Sequence, residues 1–252
     1  MNSIECATSI AEPLGRSGSW FYFTPSTAVH AEALGLDVIG LYALGRGGVL
    51  GDVSPEQVDA TFFFFKTGFV AAMYGAARAI ASPEVAVPAH LAAADDFALR
   101  TFGAVPLGTI EAFNEAAELL IASTPLGKWP IADGYRALPL PAEPAVRAYR
   151  LTIDVRELRG GVHTDAVIAA ELSPVLACYL DGDARHFALH GFTDDDIPEV
   201  NDALRDRRAN AETETTRAMA ELLDVLTDAQ RAALVEGAIA LRAALKNPVA
   251  VS

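Results

Sequence analysis

Apolar residues recur at helical intervals along most of the chain. Val58, Phe62, Phe65 and Phe69 are separated by four, three and four positions, the repeat that stacks side chains on one face of an α-helix. Leu151, Val155, Leu158 and Val162 repeat it later. Helix starts are equally legible. Ser54-Pro55-Glu56-Gln57 sets a capping serine before a first-turn proline and a reciprocal glutamine, and Thr227 to Gln230 makes a second capping box. Ser82-Pro83 and Ser173-Pro174 follow the same serine-proline order. Alternating β-branched runs bounded by Asn-Gly or Asp-Gly turns are missing, and only "FYF" at 21–23 reads as a short extended piece. The pattern predicts roughly ten to twelve helices and an all-α, multi-helix bundle.

Prolines at 125, 130, 139, 141 and 144 interrupt this pattern. They divide an N-terminal helical half, residues 1–140, from a C-terminal half, residues 141–252, expected to pack as one unit. Trp129, Ile131, Leu138 and Leu140 are too apolar for a solvated linker, so the segment is expected to lie on the protein as a strap. The last amphipathic stretch, from Glu214 to Leu245, suits either a homodimer about a twofold axis or helices folded back on the core.

Composition narrows the class. Hydrophobic residues make up 52% of the chain, enough for a large core. Acids outnumber Lys plus Arg by 33 to 19, for a net charge of −14, and nucleic-acid binding depends on neutralising phosphates with cations. Basic runs are only short, such as "RDRRA" at 205–209, which follows acids. Cys6 and Cys178 form no disulfide framework and have no metal-ligand spacing, which reads as reduced thiols of a cytoplasmic protein. The first residues lack the basic and apolar regions of a signal peptide. The most apolar window, "ATFFFFKTGFVAAMYGAARAIA", is interrupted by Lys66 and Arg78 and reads as a buried helix pair, with no membrane partner expected.

Three stretches together resemble the actinobacterial SalK-like family, which is related to helix-turn-helix proteins: "EPLGRSGSWFYFTPSTAVHAEALGLDVIGLYALGRGGVLGDVSPEQVDATFFFF", "HLAAADDFALR" and "RELRGGVHTDAVIAAELSPVLACYL". The resemblance implies a helical fold with a winged-helix-like C-terminal part and an association with specialised metabolism. Where the family reads Thr-Phe-Tyr-Asn-Phe followed by Pro, this chain has Thr61-Phe62-Phe63-Phe64-Phe65, so Phe64 replaces the amide. "FTDDDIPEVNDALRDRRANAETETTRAMAELL" reads as continuing helix, without a clear wing.

"HTDAVIAAELSPVLACYL" has the pattern helix, turn, helix. A reading helix must offer Arg, Lys, Asn or Gln to base edges, whereas Pro174 to Leu180 offers none. The next helix is expected to begin Thr193-Asp194-Asp195-Asp196, whose carboxylates would stabilise a helix start and repel phosphate. Nucleic acid is therefore an unexpected partner.

Candidate chemistry concentrates in "RELRGGVHTDAV", residues 156–167. On a continuous helix Thr152, Arg156, Arg159 and His163 share one polar stripe. Two guanidiniums can grip a carboxylate or phosphate, and an imidazole can move a proton near neutral pH. The competing reading pairs these arginines with acids such as Asp154 and Glu157 and lets His163 cap or pack. Gly160 and Gly161 either break the helix or admit a close neighbour. Asp165, two residues from His163, need not face it.

Aromatic residues supply an apolar counterpart. Tyr42, Phe62, Phe65 and Tyr74, with their aromatic neighbours, suit either a core or a pocket for an apolar ligand. "ALGRGGVLGD" at 43–52 lacks the phosphate-loop ending and reads as a flexible turn with Arg46 in local contacts. His186 and His190 have helical metal spacing, but no third ligand is evident and no metal is assigned. His30 and His90 read as surface or satisfied core. The cofactor is unknown from the residues, although the aromatic cluster would also suit a planar ligand such as a haem. The expected function is a cytoplasmic binding protein for a small molecule with an apolar body and an anionic group. Its ligand-binding residues would be Arg156, Arg159, His163, Phe62, Phe65, Tyr42 and Tyr74. The alternatives are an enzyme acting on a specialised metabolite with His163 as acid or base, and a helix-turn-helix transcriptional regulator.

Overall fold

The computed structural model describes residues 1–182 and 184–246. Among them are thirteen α-helices, three 3-10 turns and no strand. In chain order the helices are α1 (Ser3–Ser17), α2 (Pro25–Glu32), α3 (Val38–Gly47), α4 (Pro55–Thr61), α5 (Phe69–Arg78), α6 (Pro83–Thr101) and α7 (Leu107–Ser123). They continue with α8 (Pro130–Arg136), α9 (Pro144–Ala169), α10 (Pro174–Asp181), α11 (Ala184–Leu189), α12 (Asp202–Leu223) and α13 (Asp228–Lys246). The all-α class follows from the periodicity, and "FYF" belongs to a 3-10 turn, Trp20–Phe23, with no extended piece.

The capping serines act as their sequence suggests at two of three positions. Ser54 and Gln57 exchange both hydrogen bonds at α4, and Ser173 accepts from the Leu176 amide at α10. Ser82 occupies the cap of α6 but makes no side-chain cap hydrogen bond. No helix is long and apolar enough to cross a membrane, as far as the described residues extend.

Helix α9 is the axis of the bundle. It packs against α1, α6, α7, α8 and α12, and Leu151, Val155, Leu158 and Val162 are all buried on it. One continuous hydrophobic core runs from Cys6 to Leu245 and joins the N-terminal helices to α9, α12 and α13. The expected C-terminal half extends to 252, of which 247–252 lie outside the described residues. Helix α13 lies on α7 and α1, while α12 lies on α9 and α1, so the terminal helices fold back on the core.

Gly160 and Gly161 do not break α9. A Cβ on Gly161 would come within 2.6 Å of the Trp129 ring, whereas one on Gly160 would meet nothing within 4 Å. Trp129 thus occupies the space that Gly161 leaves, and tertiary packing carries the helix through two weak helix formers. The proline-rich segment lies on the body, with Trp129 and Ile131 buried and α8 formed inside it.

Three further expectations are corrected. Residues 62–68 are not helical: α4 ends at Thr61, and Gly68 takes a left-handed φ of 84°. Asp59 causes the break by accepting hydrogen bonds from the amides of Gly68, Val70 and Ala71, which satisfies the start of α5. Residues 43–50 form no flexible turn, because Gly45, Gly47 and Gly48 lie in helical backbone pressed against His90, Val58 and Val87, and the chain turns only at Gly51, with φ 81°. Arg46 reaches across to α9 instead of making only local contacts. Finally, residues 192–201 do not continue as helix. Thr193 and Asp196 cap each other around a 3-10 turn, Asp194–Asp196, and α12 begins at Asp202.

Candidate functional site

A cavity of about 660 Å³ lies between α3, the 62–65 turn, the start of α8, the middle of α9 and α11. Tyr42, Phe62, Phe65, Arg156, Arg159 and His163 all line it. Tyr74 does not: it is fully buried in the core against Gly47. The aromatic run reaches the cavity because the break after Thr61 fans its side chains apart. The lining also includes Arg46, Trp129, Glu157, Gly160, His186 and His190. Two other hollows, of about 550 and 520 Å³, contain no histidine.

Glu157 forms the charged floor. Its side chain is 2% exposed and accepts from Arg46 Nε at 3.2 Å and Nη2 at 2.7 Å. Arg156 Nη1 reaches Oε1 of the same carboxylate at 2.5 Å. Arg156 also donates to the Gly15 carbonyl at 3.2 Å and to the Tyr22 hydroxyl at 3.4 Å. Burial opposes ionisation of Glu157, but the two guanidiniums overcome it and hold the carboxyl below its usual range. Burial pushes the Tyr22 hydroxyl up to about 12, so it stays neutral while accepting from Arg156. Two guanidiniums share one carboxylate here, which leaves a surplus positive charge at the cavity wall.

His163 sits in a second, balanced network. Arg159 pairs with Glu212, Arg208 pairs with Asp181, and Arg208 also reaches Glu212 at 3.5 Å. His163 lies 3.9 Å from Asp181 and 3.7 Å from Glu212, and its ring is stacked on Phe64 at 5.6 Å. Its Nδ1 is 2.8 Å from Thr215 Oγ1, and that hydroxyl donates its only proton to the Ala211 carbonyl at 2.7 Å. Nδ1 must therefore be the donor, and neutral His163 carries its lone pair on Nε2. Asp165 is turned elsewhere, accepting from Trp129 Nε1 at 3.0 Å. The expected stripe of Thr152, Arg156, Arg159 and His163 exists, but its arginines pair with Glu157 and Glu212, and Asp154 is a partner of neither.

At the far wall, His190 Nδ1 lies 2.8 Å from the His186 carbonyl. Burial lowers the pKa of His190 to about 4 and raises that of Cys178 to about 12, so imidazole and thiol are both neutral. The ligand-capable atoms of Cys178, His186 and His190 all lie within 4.8 Å of one another. The third residue missing from the sequence pattern is thus Cys178, supplied by α10. Its visible signal was only its position eight residues before His186. The pairing of Arg46 with Glu157 leaves no local signal either, since it spans 111 residues, whereas the Arg156–Glu157 pair agrees with the expected pairing of the α9 arginines with acids. His90 departs from its expected satisfied state: it is buried between Phe21 and Tyr22 with neither ring nitrogen hydrogen-bonded. His30 pairs with Asp96 at 2.8 Å.

A helix-turn-helix family model matches residues 7–250. The chain belongs to this helix-turn-helix family. No curated protein and no solved structure matches it.

In this helix-turn-helix protein the turn between α9 and α10 contains Glu171 at a positive φ of 55°. Helix α10 presents Val175, Tyr179 and Leu180 where a reading helix would carry donors. Arg207 lies 3.6 Å from Glu171, and Arg208 is held by Asp181 and Glu212. Two of the three arginines in the basic run are therefore matched by carboxylates.

Proposed function

We propose that the protein binds, in the cavity beside α9, a small molecule with an apolar body and an anionic group. The observation that carries this reading is the Glu157 floor, where two arginines share one carboxylate. The cavity volume falls within the roughly 300–1,000 Å³ typical of small-molecule sites, and its aromatic wall suits an apolar body. An incoming carboxylate, sulfonate or phosphate would balance the surplus charge and accept charge-assisted hydrogen bonds. Such a role agrees with the SalK-like resemblance, which would place the protein in the cytoplasm of an actinobacterium and in specialised metabolism.

The orientation of His163 favours a second reading. With Nδ1 donating to Thr215, Nε2 is the nitrogen that can exchange a proton beside the same cavity, and it faces the Asp181 carboxylate at 3.9 Å, an arrangement that suits an enzyme acting on such a metabolite with His163 as acid or base. Family membership supports a transcriptional regulator as a third reading, against the surface of α10.

Anilinonaphthalene sulfonate, an aromatic anion, is a suitable probe. The expected result is one fluorescent site per chain that Gly160→Leu removes while helical circular dichroism is retained. Unchanged probe binding in a folded Gly160→Leu variant contradicts the proposal.

A further inference from the structure

We infer that Cys178, His186 and His190 form a three-ligand site for a divalent metal ion of the zinc class, with its fourth coordination position open to the cavity. The argument begins with placement. His186 and His190 are one helical turn apart and their ring centroids lie 4.1 Å from each other. Helix α10 brings the Cys178 sulfur beneath them, and all three ligand atoms fall within 4.8 Å of one another. Tetrahedral coordination at Zn–S and Zn–N bond lengths requires separations of roughly 3.5 Å, so small side-chain rotations close the site.

The donor chemistry selects the ion. One thiolate and two imidazoles suit zinc and its borderline-soft neighbours, while magnesium and calcium prefer oxygen. The histidine tautomer also fits. A carbonyl oxygen can only accept, so the 2.8 Å contact to the His186 carbonyl makes His190 Nδ1 the donor and leaves the lone pair on Nε2. This backbone-anchored imidazole is the outer-shell arrangement that orients metal-binding histidines.

Neighbouring elements hold the cluster in place. The Lys66 amide donates to the His190 carbonyl at 2.9 Å, and the Lys66 ammonium pairs with Asp196 at 2.8 Å. The Phe65 ring lies 4.3 Å from the His190 ring. Gly191 adopts a φ of 84° and sits so close to Phe69 that a Cβ would come within 2.5 Å of it. The turn after α4 and the segment after α11 thus fix His190 together.

Cys178 is fully buried, whereas both histidines line the cavity. A bound ion would accept the thiolate sulfur, and the thiol proton would pass to solvent. One thiolate and two neutral imidazoles leave a divalent ion with a net positive charge facing the cavity. Three protein ligands with an open position is the coordination of sites that bind water or substrate. The site rests on its own residues, and metal binding is read without any organic ligand.

The test uses full-length protein stripped with a chelator and titrated with Co²⁺ alone. One equivalent is expected to produce a thiolate-to-cobalt charge-transfer band and tetrahedral visible absorption, both displaced by Zn²⁺. Cys178→Ser is expected to lose the charge-transfer band, and Cys6→Ser to keep it. His190→Gln is expected to weaken binding by more than the roughly 10–100-fold loss typical of outer-shell partners. Helical circular dichroism confirms that each variant is folded. Absence of stoichiometric binding to the wild type overturns the assignment, as does a band that persists in Cys178→Ser or disappears in Cys6→Ser.

Discussion

Arg46 on α3 and Glu157 on α9 are joined by two hydrogen bonds, at 3.2 and 2.7 Å, on the floor of the cavity. The pair ties the N-terminal helices to the central helix, and Arg156 completes it from the other side. Removing the carboxylate would leave two buried guanidiniums facing each other. Glu157→Gln is therefore expected to destabilise the fold by about 3–5 kcal/mol, the usual cost of breaking a buried pair from one side. Urea unfolding measures this as a lower midpoint at unchanged slope. A loss below ~1 kcal/mol would show that the pair is not structurally important.

The two adjacent glycines of α9 should respond in opposite directions. Gly161→Ala drives a methyl into Trp129 and is expected to cost about 1–3 kcal/mol. Gly160→Ala places its methyl in open cavity space and should stabilise the helix by about 0.5–1 kcal/mol. Thermal unfolding of the two variants side by side checks the contrast. Equal effects would contradict the position assigned to Trp129.

His90 gives a signed pH dependence. Burial lowers its pKa from 6.5 to about 3 in the folded state, so folding favours the neutral ring. Its contribution to stability is fully present above pH 6.5 and is lost as pH falls towards 3. His90→Phe removes that proton uptake. Unfolding free energy measured across this interval should decline less steeply in the variant than in the wild type. Parallel curves would refute the assignment.

The helix-turn-helix surface yields a negative prediction. With Arg207 and Arg208 paired to acids and α10 lacking base-reading side chains, genomic fragments should show no mobility shift at about 50 mM salt, where electrostatic binding is strong. A salt-sensitive shift under those conditions would favour the regulator reading.

Local signals were legible in the sequence, while cross-chain meetings were not. The spacing of Leu151, Val155, Leu158 and Val162 gave α9 its buried face, and the stripe ending at His163 survived because that helix is continuous. The same spacing rule misread Phe62 to Phe65, since it does not register Asp59 capping the next helix nine to twelve residues ahead. Periodicity also cannot distinguish an aromatic residue in the core from one in a cavity, which is why Tyr74 was grouped with Tyr42. Arg46 with Glu157, and Cys178 with the two histidines, depend on tertiary packing.

The proposed ligand site requires the cavity to recognise an apolar body and an anionic group together. Isothermal titration of naphthoate against its neutral analogue naphthamide tests it most directly. A single naphthoate site is expected, at least about tenfold tighter than naphthamide, that vanishes in a folded Gly160→Leu variant. Equal affinity for the two compounds, or undiminished naphthoate binding in that variant, would contradict it.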